Sequence, residues 1–359
     1  MKSDFENNYY LFLFSKIQGL GSKNILKLLE KFPSPKELYK ILLANPKILG
    51  DKLNHILQDK NFLSQTKEYF RNLDEKYISI LDSAYPQNLK NIYDPPLFLF
   101  YQGNVDLLKS PNLVTIVGSR TTTDYHRHVL KNIFKDLCDT PLVIVSGLAV
   151  GIDTFSHRLA LDHNLATIAV LGSGLNKYVL YPHENIKLAQ EIIAKGGLLI
   201  SEQSSNTKTQ LYHFPKRNRI LAGLSKATVV ISGAQKSGTL ITAQVAIDEG
   251  REVLALPGNI NLRLSQGPNK LIKQGAAIID CAEDIFKIYN LNKDLKISKT
   301  LFKNKYHAKI YSTLQTEPMK LVELTNLLGV SIADTSSLIS EMEIRGLIKL
   351  NNLNQLEII

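Results

Sequence analysis

The chain has 359 residues, enough for two or three domains. Its 43 Lys and Arg against 33 Asp and Glu leave a net charge of +10, which suits a partner that carries phosphates. A hydrophobic content of 44% excludes a mainly disordered or collagen-like chain, and the two cysteines, Cys138 and Cys281, exclude a disulfide framework and a four-cysteine zinc site. This cysteine usage reads as cytoplasmic. No segment reaches the ~18 apolar residues of a membrane span. The run Tyr9 to Phe14 is too short for a signal-peptide core and follows Asp4 and Glu6, so neither secretion nor membrane insertion is expected.

Residues 1–76 read as a helical domain. Leu26, Leu28, Leu29 and Phe32 keep a helical spacing after Gly19-Leu20-Gly21, and Pro33 and Pro35 stop that helix. The segment GLGSKNILKLLEKF is similar to a helix-hairpin-helix turn, but one such turn is a weak signal and an ordinary helical pair closed by a glycine loop is the more ordinary reading. Residues 77–112 hold Pro86, Pro95, Pro96 and Pro111 and read as a connector, because proline disfavours helix and strand interiors. From 113 to 290 the pattern changes. Apolar runs at 113–117, 142–145, 166–171, 197–201, 227–232, 252–256 and 276–279 alternate with helix-length segments. That alternation predicts an α/β domain of the extended Rossmann type, a parallel sheet with helices on both faces. Strands buried on both sides are apolar throughout, as these are.

Charge is uneven along the chain. Residues 1–76 and 77–290 each carry a net +4, residues 291–305 another +4, and residues 306–359 a net −2. Lys293, Lys296, Lys299, Lys303 and Lys305 make 291–305 a solvated basic linker. Residues 306–359 return to helix, with Leu321, Leu324, Leu327 and Leu328 on one face and a second helix between Ser331 and Gly346. The tail LIKLNNLNQLEII reads as two short strands around a polar turn, so 306–359 predicts a winged helix. Its presumed recognition helix sets Asp334, Glu341 and Glu343 against Arg345 alone. Such a surface repels DNA and favours a protein contact or a structural role.

The glycine-bearing turns of the central domain follow the strands: VGSR (117–120), VSGLAVGID (145–153), LGSGLNKY (171–178), SGAQKSGT (232–239) and LPGN (256–259). In an open parallel sheet these turns share the edge where ligands bind. Glycine lets backbone N–H groups approach a phosphate, and the following helix N-terminus adds positive potential. Arg120, Lys216, Arg217, Arg219 and Lys236 supply cations near that edge, and Phe214 supplies a plane for stacking a base. This set suits a polyanion better than one small metabolite.

A cofactor reading is weak. Lys177 stands where the third glycine of GxGxxG belongs, and GAQKSGT (233–239) has its lysine before the glycine, unlike a Walker A loop. No cofactor is expected. Asp153 and His157, four apart at a helix start, fit an acid/base pair or two metal ligands, but a helix-capping and local hydrogen-bonding role is the more ordinary one. Neither a GxSxG elbow nor a third ligand accompanies them, so no catalytic or metal site is assigned.

In order, IVGSR, VSGLAVGIDTFSH, TIAVLGSG, Tyr181-Pro182, GLLISE, FPKRNRILAGLS, SGTLITAQVA, GREVLALPGN, SQGPNKLI and QGAAII resemble the DNA-processing protein family DprA, also called Smf. The resemblance spans roughly residues 80–280. It implies an extended Rossmann domain over 77–290 with its core at 113–290, an N-terminal SAM-like helical domain and a C-terminal winged helix. It further implies a non-enzymatic, dimeric protein that binds and protects single-stranded DNA and loads a RecA-type recombinase in natural transformation. Carried onto this chain, the phosphate pocket comprises Ser119, Arg120, Lys216, Arg217, Asn218 and Arg219, lined by Gly118, Gly174, Ser237 and Gly238. Three departures stand out: Ser232-Gly233 where the family commonly has an acidic residue and alanine, Val150 where many members have arginine, and His126 where glycine is frequent. The competing reading is a phosphoribohydrolase acting on nucleoside monophosphates. That chemistry needs a PGGxGTxxE block with a catalytic glutamate, and here Gln244 follows Thr239 by five while PGN lacks the continuation.

Overall fold

The computed structural model describes residues 2–45, 48, 51–291, 305–314, 317–344, 347–351 and 354–358. Most of the basic linker, together with Arg345 and Gly346, lies outside the described residues. The chain divides into two compact units, Met1–Tyr289 and Asn290–Ile359.

The first unit opens with five helices, α1 (Lys2–Ser15), α2 (Ser22–Leu29), α3 (Pro35–Ala44), α4 (Asp51–Gln58) and α5 (Lys60–Arg71). Leu11, Phe12, Leu13 and Phe14 are all buried, so α1 is apolar around its girth there and sits inside the helical cluster. Pro35 does more than end the preceding segment. It occupies the first turn of α3, where its missing N–H costs nothing, and the Ser34 hydroxyl caps that turn by accepting from Glu37 N at 3.2 Å.

Nine strands follow in one sheet: β1 (Tyr77–Ser79), β2 (Phe98–Gly103), β3 (Leu113–Val117), β4 (Val143–Ser146), β5 (Ala166–Leu171), β6 (Leu198–Ser201), β7 (Ala227–Val230), β8 (Glu252–Ala255) and β9 (Ala277–Ile278). Their spatial order is β1-β2-β6-β5-β4-β3-β7-β8-β9. From β6 to β9 every pairing is parallel, as the apolar runs predict. The sheet is larger than predicted. The proline-rich stretch adds β1 and β2, and β2 pairs antiparallel with β6 through Phe100 and Ser201. Pro95 and Pro96 precede β2 without entering it, so the prolines punctuate this segment and leave its strand intact.

The intervening helices are α6 (Gln87–Lys90), α7 (Asp124–Leu137), α8 (Ile152–Asp162), α9 (Ile186–Ala194), α10 (His213–Leu224), α11 (Gly238–Asp248), α12 (Gln266–Lys273) and α13 (Glu283–Tyr289). One apolar core runs from Tyr9 on α1 to Leu271 on α12. An aromatic cluster joins the helices to the sheet. Phe12 meets Phe98 edge-on with centroids 5.6 Å apart, and Phe70 lies 5.8 Å from Tyr77.

Strand order fixes where a ligand can enter. The chain moves from β3 outward through β4 and β5 to β6, then returns to place β7 on the other side of β3. The helices leaving β3 and β7 diverge, which opens a crevice beyond the C-terminal ends of these strands.

The second unit contains α14 (Lys305–Leu314), α15 (Leu321–Leu328) and α16 (Ile332–Ile344), then the hairpin of β10 (Ile348–Leu350) and β11 (Leu356–Ile358). Its own core holds Ile310, Leu324, Leu338, Met342, Ile348 and Leu356. On α16, Asp334, Glu341 and Glu343 are exposed. Among the described residues no helix is long and apolar enough to cross a membrane.

Candidate nucleic-acid interface

A cavity of about 560 Å³ lies at the switch between β3 and β7. The turn after β3 forms one side. Gly118 is required there because a Cβ would stand 2.5 Å from Cγ1 of Ile152, the first residue of α8. Ser119 O accepts from Ile152 N at 3.1 Å, and Ser119 N donates to Ser232 Oγ at 3.0 Å. The turns after β3 and β7 are thus bonded together, and Arg120 projects from the first. Its guanidinium lies 5.5 Å from the centroid of the Phe214 ring. Tyr181 packs on the same ring at 5.6 Å.

The turn after β7 brings Lys236, Ser237 and the N-terminus of α11 to the cavity. The Ser237 hydroxyl is buried and has no hydrogen-bond partner among the described residues. A buried hydroxyl at a helix N-terminus is a donor ready for an anion. The turn after β8 contributes Arg263 and Leu264, just beyond the LPGN segment that the sequence singles out. Arg120, Lys236 and Arg263 all reach solvent, and none has an acidic partner among the described residues.

The structure divides the remaining predicted residues. Gly118, Ser119, Arg120, Phe214, Arg217, Asn218, Ser237 and Gly238 line the cavity; Gly174, Lys216 and Arg219 do not. Gly174 is held away by its N–H, which donates to Thr207 O at 2.9 Å. Lys216 Nζ lies 3.3 Å from Glu202 Oε1, and Arg219 Nη2 lies 2.6 Å from the same oxygen. Arg219 Nε also sits 3.1 Å from Asp94 Oδ2, with only 11% of its side chain exposed.

Arg217 is buried at the cavity floor. It donates through Nη1 to Gly147 O at 2.7 Å and to Val170 O, and through Nε to Asn218 Oδ1 at 3.2 Å. Asn218 in turn donates to Gly238 O at 3.3 Å, which ties α10 to the start of α11. Arg217 therefore braces the turn after β4 against the C-terminal end of β5 and gives the floor a positive charge. α10 begins at His213, so Pro215 falls inside its first turn, where its missing N–H costs nothing.

Asp153 is a lining residue whose place the spacing did not reveal. Its Oδ2 accepts from Gly147 N at 3.2 Å. Burial pushes this carboxyl up to about 6, against the pull of the Arg217 guanidinium and of the backbone donors around it. His157, one turn along α8, points elsewhere. Its Nδ1 lies 2.8 Å from Thr167 Oγ1, and burial lowers it to about 3, so it is neutral. The pair is thus split between two structural tasks. Among the described residues one group of three potential metal ligands converges, Asp280, Cys281 and Asp284. Asp284 Oδ2 accepts from Asp280 N at 3.2 Å, and Oδ1 lies 3.3 Å from Lys287 Nζ, so this carboxylate is held by local contacts at the start of α13.

Residues 76–290 match the family model described as DNA recombination-mediator protein A. The chain belongs to the DprA/Smf family. The DNA processing protein DprA of Bacillus subtilis is 46% identical over 210 residues, covering 58% of this chain and 70% of that protein. DprA of Streptococcus pneumoniae is 39% identical over 288 residues, covering 77% of this chain and 96% of its own length. The X-ray structure of the pneumococcal protein superimposes with a TM-score of 0.66 at 35% identity, over 78% of this chain and 97% of that one. DNA processing protein A of Helicobacter pylori, solved to describe its single-stranded DNA binding mode, gives 0.53 at 29% identity, over 60% and 96%. The cavity lies wholly within the span that defines DprA/Smf proteins here.

Proposed function

We propose that this chain is a single-stranded DNA-binding recombination mediator that processes incoming DNA during transformation. The observation that carries this reading is the cavity at the strand C-termini. There Arg120 and Lys236 face solvent without acidic partners among the described residues, beside the Phe214 ring and a Ser237 hydroxyl that likewise has no hydrogen-bond partner among them. Cations that track a backbone, joined to an aromatic plane, bind unpaired strands with little sequence preference. Membership of the family supports the same ligand, and with it a homodimer that loads a RecA-type recombinase in the cytoplasm. The fold supports a division into a helical SAM-like domain (1–76), an extended Rossmann domain (77–290), a linker (291–305) and a winged helix (306–359). In the last, three helices and a hairpin occur in the winged-helix order, and the exposed acids of α16 favour a protein contact over DNA.

Binding without bond breaking fits the site. Gln244, where a phosphoribohydrolase would need its glutamate, is exposed outside the cavity and donates to Asp248 Oδ1 at 2.8 Å. The test is a fluorescence anisotropy titration of a 20-nucleotide oligo-dT. Arg120→Ala with Lys236→Ala weakens binding about 100-fold, at ~1.5 kcal/mol or more per charged contact. It also lowers the slope of log K against log salt by about 1.4, two phosphates at ~0.7 each. Unchanged affinity places the DNA elsewhere, and free adenine released from AMP restores the enzymatic reading.

A further inference from the structure

The turn between β8 and α12 does more than close the cavity. Asn261 N and Leu262 N both donate to Asn259, at 2.9 and 3.0 Å, and Ser265 N donates to Leu262 O at 3.0 Å. Asn269 on α12 holds Gly258 twice, accepting from its N at 3.1 Å and donating to its O at 2.8 Å. Gly233 N donates to Leu264 O at 2.7 Å, and Gly267 N to Gly233 O at 2.8 Å. A Cβ on Gly267 would stand 2.6 Å from that oxygen, so the turns after β7 and β8 touch backbone to backbone. The β8–α12 turn is fixed in place.

On this fixed turn stand three side chains that the fold does not use. Ile260 is 77% exposed and Leu262 is 44% exposed. Arg263 lines the cavity with Lys236, and its side chain has no ion-pair or hydrogen-bond partner among the described residues. Two cations facing one cavity repel each other until an anion enters. Apolar side chains held in water by a rigid turn leave their burial for a partner to complete.

We propose that this turn is a second grip on the single strand: Arg263 takes a phosphate beyond the one at Arg120, while Ile260 and Leu262 pack against the face of the adjoining base. The occupant is one further nucleotide of the same strand, because the turn is continuous with the cavity through Arg263 and Lys236. Ile260 and Leu262 offer no side-chain donor or acceptor to a base edge, so the grip lengthens the footprint without reading sequence. The inference rests on the single-strand reading and sharpens it.

The experiment titrates the full-length chain with oligo-dT of 4 to 16 nucleotides over a salt series. Arg263→Ala is expected to weaken binding about 10-fold at plateau, to lower the salt slope by about 0.7, and to reach its plateau one or two nucleotides earlier than wild type. Arg263→Lys keeps the slope. Ile260→Ser weakens binding about 5-fold with the slope unchanged, as loss of an apolar base contact requires. Arg120→Ala separates the two readings. If it abolishes binding while Arg263→Ala matches wild type in slope and plateau length, the second grip is overturned and the cavity stands. If both match wild type, the cavity reading itself falls and this inference with it. If Ile260→Ser changes the oligomeric mass of the chain and not its DNA affinity, the turn contacts protein and the proposal is overturned.

Discussion

Two sets of three cations in the first unit differ in what surrounds them. Arg120, Lys236 and Arg263 stand on the turns after β3, β7 and β8, and among the described residues no carboxylate neutralises them. Lys216, Arg217 and Arg219 stand on the first turns of α10, and each is engaged: the outer two with Glu202, Arg219 also with Asp94, and Arg217 with backbone oxygens. Basic residues of similar number thus do different work. The turn group is left open to an anionic ligand, whereas the helix group fastens α10 to the turn after β4, to β5 itself and to the segment before β2. Availability to a ligand depends on which acids fold alongside, and net charge does not report that.

The sharpest way to break this contrast is Arg217→Met. If Arg217 is a brace, the variant leaves Gly147 O, Val170 O and the Asp153 carboxyl without their buried donor or counter-charge, and unfolding stability drops by ~3–5 kcal/mol in a urea titration. Adding Asp153→Asn recovers part of the loss. A variant of full stability whose DNA affinity collapses would instead move Arg217 into the turn group.

Asp153 gives a pH test of intermediate size. Its folded pKa of about 6 lies above the ordinary carboxyl value of 3.8. Its favourable contribution is therefore complete below about pH 4 and is lost as pH rises through 6, where an ionised carboxylate must stay buried. The same ionisation sets a negative charge beside the proposed phosphate. DNA affinity should therefore fall between pH 5.5 and 7.5 by several-fold beyond what Asp153→Asn shows. Parallel pH profiles for the two proteins would show that Asp153 is silent in binding.

The smallest effect runs in the opposite direction. Glu202→Gln releases Lys216, whose side chain is 45% exposed, while Arg219 keeps Asp94. Oligo-dT binding should tighten about 3-fold and the salt slope should steepen by up to ~0.7. Weaker binding would mean that Glu202 positions Lys216 on the strand.

The parallel sheet was legible because strands buried on both faces, such as LVTIV at 113–117, admit few other readings. β2 was hidden by its neighbours. Pro95 and Pro96 directly precede FLFYQG, whose apolar first half starts a strand that pairs with β6, and prolines so close to a strand mask its signal. The same holds at the site. Gly118, Ser119 and Arg120 follow β3 directly, so their place on the rim follows from the strand. Lys216 and Arg219 could not be discounted beforehand, because Asp94 and Glu202 meet them only through tertiary folding. Arg263 lies past a turn whose path depends on the Gly233–Gly267 approach, and no spacing rule conveys that.

The contact of Phe12 with Phe98 makes the N-terminal helices a cover for the antiparallel margin of the sheet. Excision at residue 76 would present Phe98 and Tyr77 to solvent as a sticky flank. A fragment that keeps α1 avoids that flank, and a fusion partner is better attached after Tyr289, where the first unit ends.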